Sequence, residues 1–259
     1  SRWLAYTTLA ENQVGVIRLF DTRTGETLSL TTDRYDSWSP AWSPDGKWIY
    51  FLSDRHYASR VGSPWGSRQP EPFFDARTKV YAVALTGASG KPPFAAPTEV
   101  DGGEKAAPGK EGKPSVAIDA AGLERRLHEL PVPPGNYNAL WTDGERLYFL
   151  SRETGGATAL KTFALAHDAK VETFLENVRT YQPTMDGTKL LVRRGDDLFV
   201  VPTGAKAPGQ LANHAVDLSG WRFAYDPREE WRQMYREAWR LHRDWFYDPG
   251  MHGVDWPAI

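Results

Sequence analysis

The sequence predicts an all-β protein made of propeller blades, about four with one incomplete, followed by a C-terminal α-helix that opens a second domain. Three observations carry this. A turn-and-strand unit recurs: Asp45-Gly46 before KWIYFLS, Asp143-Gly144 before ERLYFLS, and Asp186-Gly187 before TKLLVRR. Eleven Trp, eleven Tyr and eleven Phe in 259 residues fit aromatic-rich strands better than helices. The last segment, from Asp226 onward, changes in kind and places apolar residues at helical spacing.

Each element has a local reason. In WSPDGKWIYFLSDR, Pro44-Asp45-Gly46 is turn chemistry, and Trp48 to Leu52 is a short apolar run that reads as a buried strand. The last two units lie 43 residues apart, the length of a four-stranded blade. The first two lie 98 apart, which is two blade lengths or one blade with insertions. A Gly/Pro-rich loop over about 53–72 and a Lys/Gly/Pro tract over 97–114 supply those insertions. The reading is therefore a propeller portion over 1–223, with blades at about 1–32, 35–130, 136–178 and 180–223. Residues 115–132 are expected to form a β pair closing the second blade. Trp3-Leu4-Ala5-Tyr6 aligns with Trp48-Ile49-Tyr50-Phe51 at an offset of 45, so the first blade lacks its innermost strand and the chain is expected to begin mid-blade.

Residues 224–259 read as a linker and the first helix of a helical domain. Asp226 is a helix N-cap, Pro227 suits the first helical position, and Glu229 the third. Trp231, Met234, Tyr235, Ala238, Leu241 and Trp245 then mark one apolar face, and Tyr247-Asp248-Pro249-Gly250 should stop the helix. That face calls for partner elements beyond the last residue.

SPAWSPDGKWIYFLSDR, SPWGSRQPEPFF, ELPVPPGNYNAL and above all DPREEWRQMYREAWRLHRDWFYDPGMHGVDW resemble the tricorn protease family, serine peptidases related to the carboxy-terminal processing peptidases. The Asp-Gly blade motif by itself is shared with WD, TolB-like and prolyl-oligopeptidase-type propellers. The segment from Trp231 to Trp256 is far more specific. The resemblance implies the last part of an N-terminal propeller and the start of a helical domain, with PDZ and α/β catalytic domains to follow. It puts the nucleophilic Ser and general-base His downstream of Ile259, so no catalytic residue is carried onto this chain, which is expected to be inactive alone. It also implies a propeller that gates or binds peptide and unfolded-protein substrates, and partners in the missing helical, PDZ and catalytic domains. Self-association through open strand edges is expected. Exported bacterial relatives put the periplasm ahead of the cytoplasm. A free-standing TolB-like propeller serving as a protein- or peptide-binding module stays open as the alternative.

Composition narrows the classes. A net charge of -2 gives no electrostatic case for nucleic acid, no apolar run reaches membrane-span length, and zero Cys excludes disulfides and thiolate metal sites. His242, Asp244, His252 and Asp255 resemble a metal cluster in residue type, but the Pro-Gly break and the lack of HExxH spacing favour helix-surface and loop roles. Ser63, Ser67 and Ser219 have no adjacent base and no nucleophile-elbow motif. No cofactor or metal is expected. The candidate peptide-contacting or channel-lining residues are Trp65, Arg68 and Gln69 in the long loop, against the alternative that this loop packs on itself. Arg193, Arg194, Asp196 and Asp197 read as a solvated hairpin tip, and Lys105, Lys110 and Lys113 as part of a flexible tract.

Overall fold

Two of the three recurring turns, at Asp45-Gly46 and Asp186-Gly187, are built the same way from a hydroxyl, an Asp and a Gly. At Asp143-Gly144 the Thr142 hydroxyl instead donates to the Arg146 carbonyl (2.7 Å). Ser43 donates its hydroxyl to Asp45 Oδ1 (2.5 Å), the Lys47 amide donates to the same oxygen (3.0 Å), and the Trp48 amide donates to Ser43 Oγ (2.9 Å). Thr184, Asp186, Thr188 and Lys189 repeat this pattern, and their bonds hold the Asp186 carboxyl down at about 2. Gly46 and Gly187 both sit at φ 70°, where a side chain would be strained. These closures commit the flanking residues to antiparallel strands.

The computed structural model describes residues 2–59, 73–96 and 116–259. The chain divides into two compact units, Ser1–Val216 and Asp217–Ile259. The first unit holds four antiparallel meander sheets. Sheet one is β1 (Trp3–Leu9), β2 (Gly15–Asp21) and β3 (Thr27–Ser29). Sheet two is β4 (Ser37–Trp42), β5 (Trp48–Asp54), β6 (Thr78–Ala84) and β7 (Leu127–Glu129). Sheet three is β8 (Tyr137–Thr142), β9 (Arg146–Arg152), β10 (Thr158–Ala164) and β11 (Val171–Leu175). Sheet four is β12 (Thr180–Pro183), β13 (Lys189–Arg194) and β14 (Asp197–Pro202), extended by a bridge between Phe199 and Ala215. These are propeller blades.

Three cores lie between consecutive blades, and the period-2 alternation of strands sorts residues among them. Ile49 and Phe51 of β5 join Ile17 and Leu19 of β2 in the first core. Trp48, Tyr50 and Leu52 of the same strand join Leu140, Leu147 and Phe149 in the second. Tyr148 and Leu160 join Leu190, Val192 and Val201 in the third. Strands buried on both faces read as continuous apolar runs, which is why WIYFL shows no alternation in sequence. The first and last blades each keep one open face. Leu4 of β1, which points to that face, is accordingly exposed.

One expectation is corrected. The described part of 115–132, residues 116–132, does not form a β pair. Within the described part, 116–120 is in no strand, Leu123–Arg126 is a 3-10 turn, and β7 alone pairs with β6. Gly122 at φ 74° turns the chain, and Arg126 fastens it. That guanidinium donates to the carbonyls of Ala84, Leu85, Ala121 and Asp119. This side chain, with the Asp119 amide that donates to the Leu85 carbonyl (2.9 Å), satisfies carbonyls of the segment without a second strand.

The second unit is described by itself. Its helix α1 (Pro227–Trp245) begins at Asp226, whose carboxylate accepts from the Arg228 amide (2.9 Å). It stops at Phe246, slightly before the expected breaker. Trp239 and Trp256 each donate an indole N–H to the other's carbonyl (3.1 and 3.2 Å) and stack at 6.2 Å. His242 stacks on the same Trp256. Of the expected apolar face, Trp231, Met234, Leu241 and Trp245 remain exposed within this unit.

Two outcomes follow. Phe51→Ala empties a site shared by β2, β5 and β6 and should cost about 3–5 kcal/mol in urea unfolding; a loss below about 1 kcal/mol would contradict the two-faced packing. Asp21 is buried and paired with Arg2 (2.6 Å), which holds its carboxyl at about 2 against an ordinary 3.8. A depressed folded value gives stability that is present above pH 4 and lost as pH falls toward 2. Asp21→Asn should flatten the fall of Tm in that window, and an unchanged acid profile would argue against the pair.

Candidate functional site

A meander delivers its connections alternately to two ends. One end of the first unit carries the Asp-Gly turns and the β6–β7 connection (85–126). The other carries the long β5–β6 connection (55–77), the β1–β2 and β9–β10 turns, and the links from each blade to the next. The candidate loop residues Trp65, Arg68 and Gln69, with Ser63 and Ser67, lie in that long connection and outside the described residues; Lys105, Lys110 and Lys113, between β6 and β7, also lie outside the described residues. What is described is the base on which the connection stands.

That base is polar and closely tied. Asp54, buried at the end of β5, accepts from the Thr78 hydroxyl (2.7 Å) and pairs with Arg77 (2.9 Å), while its carbonyl accepts from the Tyr57 hydroxyl (3.0 Å). Thr78 and Gly135 exchange both backbone bonds at 3.0 Å, joining the second blade to the link before the third. A Cβ at Gly135 would fall 2.3 Å from the Tyr137 ring, which is fixed by an edge contact to Phe149 and a bond to the Pro133 carbonyl (2.8 Å). The position therefore requires glycine. Asn136 donates to the buried Asp75 carboxylate (2.6 Å) and accepts from the Ala76 amide (3.1 Å), and its carbonyl accepts from the Arg152 amide (3.1 Å). Ala76 stands at φ 55°, an uncommon conformation for alanine, kept by these bonds. Together with Tyr137, Arg152 and Glu153 these residues line a cleft of about 370 Å³ between the second and third blades.

On the other side of the second blade, Arg55 lies over the ring of Tyr81 (4.4 Å) and that of Tyr35 (5.2 Å). Its Nε donates to Ser53 Oγ (3.0 Å). Burial pushes its pKa below the usual arginine value, opposed by the two tyrosines and Glu129. The Tyr81 hydroxyl is pushed up to about 12 by burial and by Glu129, to which it donates (3.2 Å). Lys79 also pairs with Glu129.

The other sequence candidates disperse. His242 faces the Ala238 carbonyl, Asp244 pairs with Arg243, and His252 contacts Tyr247 in the turn after α1. Asp255 precedes the final 3-10 turn. No group of three or more His, Asp or Glu able to hold a metal occurs among the described residues. Ser219 donates its amide to Asp217 in a local turn. Arg193 pairs with Asp196 at the β13–β14 tip. Arg55, Asp75 and Asn136 were not singled out from sequence, because their partners lie far along the chain. Asn136→Ala would strip a bond from the buried Asp75 carboxylate and release Ala76. A loss of about 1–3 kcal/mol is expected in thermal or urea unfolding, and an unmoved midpoint would contradict the role given to Asn136.

Comparison with known proteins gives this arrangement a family. Residues 1–204 match the family model described as the tricorn protease second beta propeller domain, and residues 227–259 match the tricorn protease C1 domain. Tricorn protease homolog 1 of Streptomyces coelicolor is 26% identical over 284 residues, covering 100% of this chain and 26% of the relative. The tricorn protease homolog of Saccharolobus solfataricus is 26% identical over 238 residues, covering 86% of this chain and 20% of the relative. The chain thus spans about a quarter or less of the length of these two curated relatives. The crystal structure of the tricorn protease superposes with a TM-score of 0.73 over 96% of this chain and 24% of that one, at 19% identity, a likeness of fold. The chain belongs to the tricorn protease family, as a segment of the second propeller followed by C1 sequence.

Proposed function

We propose that this chain is a non-catalytic propeller segment of a tricorn-like serine peptidase, which receives extended peptide for cleavage by a catalytic domain outside it. The observation that supports this most is the order of the two matches, second propeller and then C1, within one chain. In this reading the blades act by position. Their cores hold the sheets rigid, and the end that bears the β5–β6 connection offers a polar cleft and half-buried side chains to a passing chain. An unfolded peptide brings free backbone donors and acceptors to such a surface, whereas a folded domain has already paired its own. The remaining helical, PDZ and catalytic domains of the parent peptidase are the intramolecular partners. The exposed Leu4 on the open face of the first blade leaves room for a further blade or a second copy there.

The test is equilibrium binding of the 259-residue chain to ribonuclease A, reduced and carbamidomethylated in one arm and native in the other, by fluorescence anisotropy. Saturable binding to the unfolded form, at least roughly tenfold tighter than to the native form, is the expected result. Equal binding to both forms, or to neither, would overturn the proposal.

A further inference from the structure

Half-buried cations are ordinarily paired, because removing a guanidinium from water is costly unless an acceptor replaces the hydration. Arg55 departs from this. Among the described residues its guanidinium makes one hydrogen bond, from Nε to Ser53, and no ion pair. Its plane is held by the rings of Tyr81 and Tyr35, with Phe51 at 6.0 Å. The carboxylate whose field reaches it is that of Glu129, already engaged by Lys79 and the Tyr81 hydroxyl. Counting Arg55, Lys79 and Glu129, the group carries one net positive charge. Among the described residues the two terminal nitrogens are thus donors without an acceptor, at the end of the second blade that bears the β5–β6 connection and beside the link from the first blade.

We propose that Arg55 is a carboxylate-binding point, taking either the terminal carboxylate of a peptide or an Asp or Glu side chain. The fork of an arginine matches the two oxygens of a carboxylate, and stacking between tyrosines removes much of the entropy cost of holding it still. One excess positive charge flanked by neutral phenols suits a monoanion better than a phosphate dianion. The proposal rests on the peptide-receiving reading for its biological ligand, while the anion site itself can be probed separately.

The experiment follows the arginine Nε–Hε resonances of the whole chain by NMR during titration with N-acetylglycine, and with N-acetylglycinamide as the uncharged control. A saturable shift of the Arg55 signal with the acid and none with the amide is expected. Arg55→Met should abolish the saturable response of the surrounding tyrosine signals. Arg55→Lys, which keeps the charge and loses the fork, should weaken binding about ten- to a hundredfold. Tm is recorded for both variants, and the lysine variant decides should the methionine variant not fold. No Arg55 shift, or equal shifts with acid and amide, overturns the site. A second arm measures binding of an extended hexapeptide with a free carboxyl terminus, the same peptide amidated, and an amidated peptide containing one Glu. Binding indifferent to all three and to Arg55→Lys keeps the peptide reading and sinks the Arg55 assignment. A response to N-acetylglycine with no peptide bound keeps the site and sinks the peptide reading. Among positive results, loss on amidation identifies the terminal carboxylate, and rescue by Glu identifies the side chain.

Discussion

The structure depends on strands that are buried on both faces. In β5, Ile49 and Phe51 look toward the first blade while Trp48, Tyr50 and Leu52 look toward the third. Tyr148 in β9 faces the fourth blade while Leu147 and Phe149 face the second. The second and third blades are therefore each half of two cores, and no sheet of the row has an interior of its own. Stability in such a design lives at the interfaces between repeats, as it does in other stacked architectures. Polar locks reinforce the same interfaces: the Tyr181 hydroxyl donates to the Ala139 and Tyr148 carbonyls (2.5 and 2.8 Å), and Tyr148 bonds Asp143 and Gly204 (3.0 and 3.1 Å).

That constraint explains where chemistry is left over. With strand faces committed to packing, the irregular connections lie at the two ends. One end carries the self-satisfied Asp-Gly turns together with the β6–β7 connection, whose start bonds the Lys47 carbonyl. The other gathers the long connection, the links between blades, the Asp75–Asn136 cleft and the stacked Arg55. A rigid scaffold that presents polar connections at its ends is a common basis for recognition by loops.

Much of this was legible in the sequence, for local reasons. The Asp-Gly turns could be read because the groups that close them lie within five residues, and WIYFL could be read as a buried strand because burial on both faces erases alternation. The helix start at Asp226 is likewise a local signal. What could not be read depends on distant partners. Arg126 satisfies carbonyls at Ala84 and Leu85, so the closing segment of the second blade forms a turn and one short strand in place of a pair. The Tyr35 and Tyr81 rings reach Arg55 from a blade link and from the neighbouring strand, and Asn136 meets Asp75 across 61 residues. In the second unit, apolar periodicity drew attention to Trp231 and Leu241, while the packed pair is Trp239 with Trp256, off that face. The loop candidates Trp65, Arg68 and Gln69 fall outside the described residues.

The matches to the second propeller and to C1 within one chain favour a peptidase segment over a free-standing binding propeller, since the latter has no reason to continue into the Trp231–Trp256 sequence. The central claim is that this chain works as part of a larger peptidase. The most direct measurement is the intact mass of the native gene product, taken from its source cells and set against 29.1 kDa for this chain. The account predicts a product several times heavier that hydrolyses peptides. A stable native product near 29.1 kDa would contradict it.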